Sequence, residues 1–346
     1  MSETLPSVTI LIAARPGQSE IMAVTAARQL DYPSDRLEII VARGKQPSVQ
    51  RNAALKAARG ELIYFLDDDS VPPPDSLRHA VARFADAKVK MVGGPNLCPP
   101  DAPKLEQVFA VVLGSWLAFG PSRARYSAVG SVREASEKEL ILCNLLARGD
   151  AIRALGGFNE ALYPNEENAL MDELQQRGGK LLYDPQLIVQ RRPRPNLRAF
   201  AKMLLNYGRG RAEQFRSYPT FGSALNFVPP LFCLYLVLLP LLLKLSPWKL
   251  HVKDTFQSTT GGDIHQTINV DIHLGLLPLA CYLVALMFQT FASAFRHGIM
   301  KSIFALPLLG LTHVFYGLGF WRGLFTTLRV GDQKPSTEVT LEKIEF

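Results

Sequence analysis

Along its first two hundred residues the chain sets short apolar runs between charged stretches. Val8–Ala14 (VTILIAA) is apolar and β-branched at its start, then broken by Arg15-Pro16-Gly17, which predicts a strand and a loop. Residues 18–30 predict a helix ended by Tyr32-Pro33, and Leu37–Ala42 predicts a second strand. A helix over 46–59, closed by Gly60, leads to a third strand at Leu62–Leu66. Asp75 then reads as the N-cap of a helix over 76–85, and Val89–Val92 as a further strand. This alternation predicts an α/β domain, its sheet mostly parallel with helices on both faces. Beyond it the pattern loosens. Lys138–Arg148 has an apolar centre, Glu166-Glu167 open a helix stopped by Gly178-Gly179, and Leu181–Tyr183 and Leu187–Val189 predict short strands.

At Asn196 the period changes. Leu197, Phe200, Ala201, Leu204 and Leu205 share one helical face with Arg198 and Lys202 off it. That suits a helix lying at a membrane interface, and equally one packed on the preceding domain. Three uncharged runs follow, 17 residues at Phe227–Leu243, 22 at Leu274–Phe295 and 18 at Ile303–Phe320. Each approaches the roughly 20 residues that cross a bilayer. The expected organisation is a domain over 1–195, a basic amphipathic segment over 196–225 and a transmembrane region over 226–328. Within that region, helices near 227–245, 274–295 and 302–325 surround an extramembrane loop over 246–273, with alternation at Ile268, Val270, Ile272 and Leu274 hinting at a small strand. A polar tail covers 329–346. The short basic stretch 296–301 predicts a cytoplasmic loop, so three crossings would leave the tail on the far side of the membrane from the N-terminal domain.

Charge sharpens this picture. The net charge is +7, and Arg191, Arg192, Arg194, Arg198, Lys202, Arg209, Arg211 and Arg216 face only Glu213 just before the apolar region. Anionic lipid headgroups would meet that cluster, so membrane lipids are an expected partner. No groove-reading motif or aromatic-interleaved basic stretch appears, and nucleic acid is not expected. The four cysteines lack metal spacing and read as buried, reduced thiols. The N-terminus has no basic leader, and its apolar run reads as a strand, which keeps the first domain in the cytoplasm.

The chemistry is concentrated in GELIYFLDDDSVPPP, residues 60–74, where a buried strand runs into Asp67, Asp68 and Asp69. Adjacent carboxylates repel and require a counter-charge. Asp67 and Asp69, on alternate residues of an extended segment, can offer oxygens to Mg²⁺ or Mn²⁺ with phosphate completing the shell. An acidic helix cap is the plainer alternative, but Pro72-Pro73-Pro74 separate the aspartates from the next helix.

These pieces together resemble a family-2 glycosyltransferase of the GT-A fold. The matching stretches are VTILIAA, Gln50-Arg51-Asn52 with Ala57-x-Arg59-Gly60-Glu61, FLDDD, Gly156-Gly157-Phe158-Asn159-Glu160 and the Glu166-Glu167 pair, over about residues 6–195. LLNYGRGRAEQF, the hydrophobic segments and His313-x-x-Tyr316-Gly317-x-Gly319 resemble membrane-anchored members that build bacterial exopolysaccharide or lipid-linked glycans. The resemblance implies a nucleotide-sugar donor against Ala13, Arg15, Arg43, Arg51, Asp67, Asp68, Arg191 and Arg192. It implies a metal on Asp69 and Asp67, and a catalytic base at Glu167 with Glu166 raising its proton affinity. Ordinary acidity at a helix N-terminus is the alternative for the Glu pair. A solvated or membrane-facing stretch is the alternative for the arginines.

Three departures stand out. Ala42 and Arg43 occupy the place of a base-reading aspartate pair, Gln190 that of a histidine metal ligand, and Ala169 that of an acidic residue. The implied protein is a multi-pass inverting glycosyltransferase of the bacterial inner membrane, its catalytic domain cytoplasmic. Its acceptor would be a lipid-linked glycan, with other polysaccharide-assembly proteins as further partners. The absence of a Gln-x-x-Arg-Trp motif argues against the first alternative, a processive synthase. A catalytically silent assembly subunit is the second.

Overall fold

In this computed structural model, residues 5–162, 165–217, 219, 221–245, 249–257, 265–327 and 338–345 are described. The first half of the chain alternates β1 (Val8–Ala14), α1 (Met22–Ala27), β2 (Leu37–Arg43), α2 (Pro47–Ala57), β3 (Leu62–Asp67), α3 (Ser76–Ala82), β4 (Val89–Gly93) and β5 (Asn96–Leu97). Then come α4 (Lys104–Leu113), α5 (Trp116–Phe119), β6 (Arg133–Glu134), β7 (Asn144–Arg148), α6 (Gly149–Ala154), α7 (Glu166–Gln176), β8 (Lys180–Tyr183) and β9 (Val189–Gln190). The C-terminal part holds α8 (Leu197–Ser217), α9 (Val228–Leu245), β10 (Lys249–Gln257), β11 (His265–His273), α10 (Leu277–His297), α11 (Ile299–Phe325) and β12 (Thr340–Ile344).

One eight-stranded sheet, ordered β12-β2-β1-β3-β7-β4-β8-β6, organises the domain. Both faces of its central strands are buried. Val8, Ile10 and Ile12 of β1 join Leu62, Tyr64 and Leu66 of β3 in one core. Leu11, Ile63 and Phe65 point into a second core on the opposite face. Two-sided burial explains why these strands read as continuous apolar runs. The α/β class holds, but the sheet is mixed and not mostly parallel. β1 runs parallel to β2 and β3, whereas β7 lies antiparallel between β3 and β4. The chain enters β7 from a long excursion through α4 and α5 instead of a helical crossover, and so is free of the parallel constraint. Helix α1 is shorter than the 18–30 expected, and α3 ends at Ala82 before a 3₁₀ turn. Asp75 holds the N-cap position of α3 without a side-chain cap bond.

The interfacial helix finds its partner inside the protein. Phe200 and Leu204 of α8 are buried in one cluster with Val108, Phe109 and Val112 of α4 and Ala305, Leu308 and Leu309 of α11. The rings of Phe109 and Phe200 stack with centroids 4.2 Å apart. Glycines permit α8 and α11 to approach backbone to backbone. A side chain at Gly208 would overlap the Tyr316 carbonyl, one at Gly319 that of Leu205, and one at Gly323 that of Arg209. Small residues are the usual means of such close helix contact. His313 of α11 accepts from Tyr282 of α10 (2.9 Å) and donates to the Leu117 carbonyl of α5 (3.0 Å), satisfying a polar group within apolar helices.

Three helices are long and apolar enough to cross a membrane, over Ala224–Leu245, Leu274–His297 and Ile299–Phe325. The 246–273 segment is an antiparallel hairpin where its residues are described, not a loop with one small strand. The tail corrects the expected topology. β12 pairs antiparallel with β2, Thr340 opposite Arg43 and Ile344 opposite Ile39, and so adds an edge strand to the N-terminal domain's own sheet. The connection over 326–339 is shorter than the roughly 20 residues of a further span, so the end of α11 and the domain share one side. For helices that cross a membrane, this pairing requires an even number of crossings. Of the three helices, α11 is the most buried, packed on α4 and α8, whereas α9 and α10 leave Leu231, Val237, Leu283, Phe288 and Phe291 exposed. N-terminal and C-terminal epitope tags are therefore expected to show the same protease accessibility in sealed membrane vesicles. Opposite accessibility would contradict the β12–β2 pairing.

Candidate active site

At the C-terminal edge of the parallel strands, β3 ends in a turn. The Ser70 N–H donates to the Asp67 carbonyl (3.0 Å), and Ser70 Oγ accepts from the Asp67 N–H (3.3 Å). Asp67 thus closes the strand while Asp68 and Asp69 lie in a tight turn, which the serine side chain closes locally, so the three do not share one extended segment. The Asp68 carbonyl accepts from Ala23 N–H (3.1 Å), fixing the turn to the start of α1. Val71 and Gln190 exchange backbone hydrogen bonds of 2.9 Å each, which brings the residues after β9 beside the aspartates.

Arg191 uses that placement. Its Nε donates to Asp69 Oδ1 at 2.6 Å and its Nη2 lies 3.1 Å from Asp67 Oδ2. Arg51, on α2, places Nη2 3.3 Å from Asp67 Oδ1 and Nη1 3.1 Å from Glu166 Oε1. Arg125 lies 3.8 Å from Glu167 Oε1 and donates to Asn168 Oδ1 at 2.8 Å. Asp69, Arg191, Asp67, Arg51 and Glu166 thus form one line of alternating charge, with Glu167 and Arg125 beside its end.

The motif Gln50-Arg51-Asn52 is explained by three separate tasks. Gln50 donates to the carbonyls of Ala14 (2.8 Å) and Ala42 (2.6 Å), tying α2 to the ends of β1 and β2. Arg51 faces the carboxylates. Asn52 both donates to and accepts from the Phe158 backbone at 2.8 Å, and donates to Glu160 at 2.9 Å. Gly157, at φ +85°, lies against Asn52, where a Cβ would come within 2.5 Å of the amide oxygen. The Gly-Gly-Phe-Asn-Glu block therefore anchors the approach to α7, which carries the Glu pair.

Other expected residues are placed differently. Ala13 stands opposite both Ala42 and Asp67 in the sheet register, at the same edge. Arg15 is exposed. Arg43 donates to the Gln18 carbonyl (2.6 Å) and to Glu342 of β12 (3.1 Å), so the tail touches this edge. Arg192 faces away from the aspartates, both its Nε (2.7 Å) and Nη2 (2.5 Å) meeting the buried Glu106 of α4.

Burial and charge set the protonation of this cluster. Burial would lift Asp67, but Arg191 and Arg51 overcome it and hold the carboxyl below its ordinary range. Burial lifts Glu166 to about 7, with Arg51 opposing and Glu167 adding to the rise. Glu167 is also raised, first by burial, against Arg125 and Arg51. Burial, more than the neighbour expected to act on Glu167, governs the pair.

The donor set suits a divalent cation. Asp67 and Asp69 already converge on one positive group, Arg191, and offer hard oxygen ligands. Among the described residues no trio of His, Cys, Asp and Glu assembles, so phosphate and water would complete the shell.

Arg191 also lines a small cleft. Ala110 and Leu113 of α4 and Met203 and Tyr207 of α8 give it apolar walls, and Arg194 adds charge. Tyr126 and Tyr207 hydrogen-bond at 3.1 Å beside it. Arg125, Asn168 and α4–α5 escaped the sequence reading. The apolar run Val108–Leu113 was a visible signal for α4, but nothing local marked Arg125, whose partners are distant in sequence.

Residues 2–205 match the sequence model of glycosyltransferase like family 2. The chain belongs to this family. The family 2 match ends within α8, so α9, α10 and α11 lie beyond it. Two pre-mycofactocin glycosyltransferases from strains of Mycobacterium tuberculosis are 27% identical over 175 residues, 47% of this chain and 34% of theirs. The chain thus spans about a third of the length of these relatives (34%). Among solved structures, the mannosyltransferase PcManGT from Pyrobaculum calidifontis, in complex with GDP-Man and Mn²⁺, matches with TM-score 0.52 and 14% identity, covering 88% of this chain and 87% of that one. The S. aureus TarS structure matches at TM-score 0.42 and 12% identity, over 66% of this chain and 43% of that one. The GT-A fold is thereby shared by a family 2 chain and its structural neighbour.

The Glu166 shift gives the family 2 domain a pH signature. Between the ordinary 4.5 and about 7, the folded state keeps a proton that the unfolded chain has released. This group's stabilising contribution is complete below 4.5 and is lost as pH rises through about 7. Glu166→Gln removes the titration, so the melting temperature of the variant minus that of the wild type should be more positive at about pH 8 than at about pH 5. An equal difference at both would contradict a buried, elevated Glu166.

Proposed function

We propose that the protein is a membrane-bound inverting glycosyltransferase of the bacterial inner membrane, with its domain on the cytoplasmic side. It moves a sugar from a nucleotide-sugar donor to a hydroxyl of a lipid-linked glycan. The observation that carries this reading is the line of carboxylates and arginines at the strand ends, opening into a cleft with a basic floor and apolar walls. In α/β sheets, ligands bind beyond the carboxyl ends of strands. The cleft walls come from α4 and α8, whose other contacts are with α11, so an acceptor anchored in lipid has a short route to the carboxylates. The neighbour solved with GDP-Man and Mn²⁺ supports the donor class and a divalent cation.

Asp67 and Asp69 would hold Mg²⁺ or Mn²⁺, which when bound offsets charge on the departing diphosphate. Arg51 keeps Asp67 ionised, and lies within reach of donor phosphate at the same edge. Glu167 takes the proton of the acceptor hydroxyl while that oxygen bonds to the anomeric carbon. The bond from that carbon to phosphate breaks, and its electron pair leaves with the nucleoside diphosphate. Attack opposite the leaving group inverts the configuration. Arg125 orients Glu167 and limits how far burial can raise its pKa.

Glu167→Gln keeps shape and removes the base. Turnover, followed as nucleoside diphosphate released with native membranes as acceptor, should fall by about 10²–10⁴, with nucleotide binding little changed. Normal turnover in this variant would place the base elsewhere.

A further inference from the structure

Arg191 occupies the position where a cation is required. It bridges Asp67 and Asp69 with separate nitrogens, at 3.1 Å and 2.6 Å. Its neighbour Arg192 is committed to Glu106, and Arg51 is shared between Asp67 and Glu166. Among the described residues Arg191 is the one arginine that meets both aspartates, and it does so through its side chain alone. Its backbone is fixed independently, the Arg191 N–H donating to the Leu97 carbonyl at 2.9 Å. The guanidinium can therefore leave without disturbing β9. The same side chain lines the cleft, so a second resting place lies beside the first.

A divalent cation on Asp67 and Asp69 would stand within a few ångströms of that guanidinium, and the two positive charges would repel. We propose that Arg191 is a resident counter-cation, which an incoming Mg²⁺ or Mn²⁺ must displace, and which then moves onto the donor diphosphate. Cation and diphosphate consequently enter as a pair. This rests on the nucleotide-sugar reading above for its diphosphate half only. A device of this kind keeps the aspartates neutralised between turnovers and stops the site from holding a bare metal ion.

The test is a titration of Mn²⁺ alone into the full-length protein in detergent, followed by the electron paramagnetic resonance signal of free Mn²⁺. Arg191→Gln should bind Mn²⁺ alone roughly ten- to a hundredfold more tightly than wild type, the scale of a charge-assisted hydrogen bond. Arg191→Lys, which keeps the charge, should stay near wild type, and adding Asp69→Asn to Arg191→Gln should remove the gain. Calorimetry with UDP or GDP in saturating Mn²⁺ should move oppositely, Arg191→Gln binding the nucleotide about tenfold more weakly. A merely structural arginine would lower both affinities together. Wild type binding Mn²⁺ alone as tightly as Arg191→Gln, with melting temperatures matched, would overturn the proposal. So would nucleotide binding in EDTA that vanishes in Arg191→Gln, since Arg191 would then be a permanent replacement for the metal. If the Mn²⁺ results hold but no nucleotide binds the wild type, the displacement stands and the nucleotide-sugar reading falls.

Discussion

Four carboxylates gathered at the end of a buried sheet would drive one another apart, and the domain is built around preventing this. Asp67, Asp69, Glu166 and Glu167 come from two distant segments, and the arginines that separate them come from three others. Arg51 is delivered by α2, Arg125 by the turn after α5, and Arg191 by the strand end after β9. Two of these deliveries have their own fastenings: Gln50 and Asn52 tie α2 to the ends of β1 and β2 and to the Phe158 backbone, and the Val71–Gln190 bridge fixes the approach to Arg191. Removing one partner of a buried pair leaves the other charge unpaid by solvent, so the positions are mutually dependent. A site of this kind is a property of the whole domain.

The second constraint is steric. Polar and glycine-rich motifs before the apolar region and at its end look like chemistry, yet Gly208, Gly319 and Gly323 serve the contact between α8 and α11. Backbone contact is achieved there because no side chain intervenes. His313 has a similar explanation, its two ring nitrogens tying α10 and α5 to α11. The domain and its apolar helices are thus one packed body through α4, α5 and α8, and the cleft lies along that junction.

Much of this was legible in the sequence where local pattern decides structure. β1, β2, β3 and α2 fell within a residue or two of expectation, because two-sided burial and flanking glycine and proline leave few alternatives. Asp67, Asp69 and the Glu pair were visible as charges in unusual places. The mixed strand directions were not, since a single sequence records no pairing partner for β7. Arg125 and the turn of α4 into α5 were missed for the same reason: their roles arise from contacts across more than forty residues, such as that between Arg125 and Asn168. The tail misled most. Its polar composition says nothing of β2, whose free edge is what draws it back.

That edge strand links the order of synthesis to the completion of the fold. β2 forms early in the chain, but its outer row of hydrogen-bonding groups is covered only by residues 340–344, which leave the ribosome after α9, α10 and α11. Everything between them, α9 to α11 included, has by then been made. The domain's sheet is therefore closed only after its hydrophobic helices have been made, and a chain that stalls before then keeps an open, adhesive edge. Such a chain is marked as unfinished by its own β2, in a form that chaperones and proteases can read.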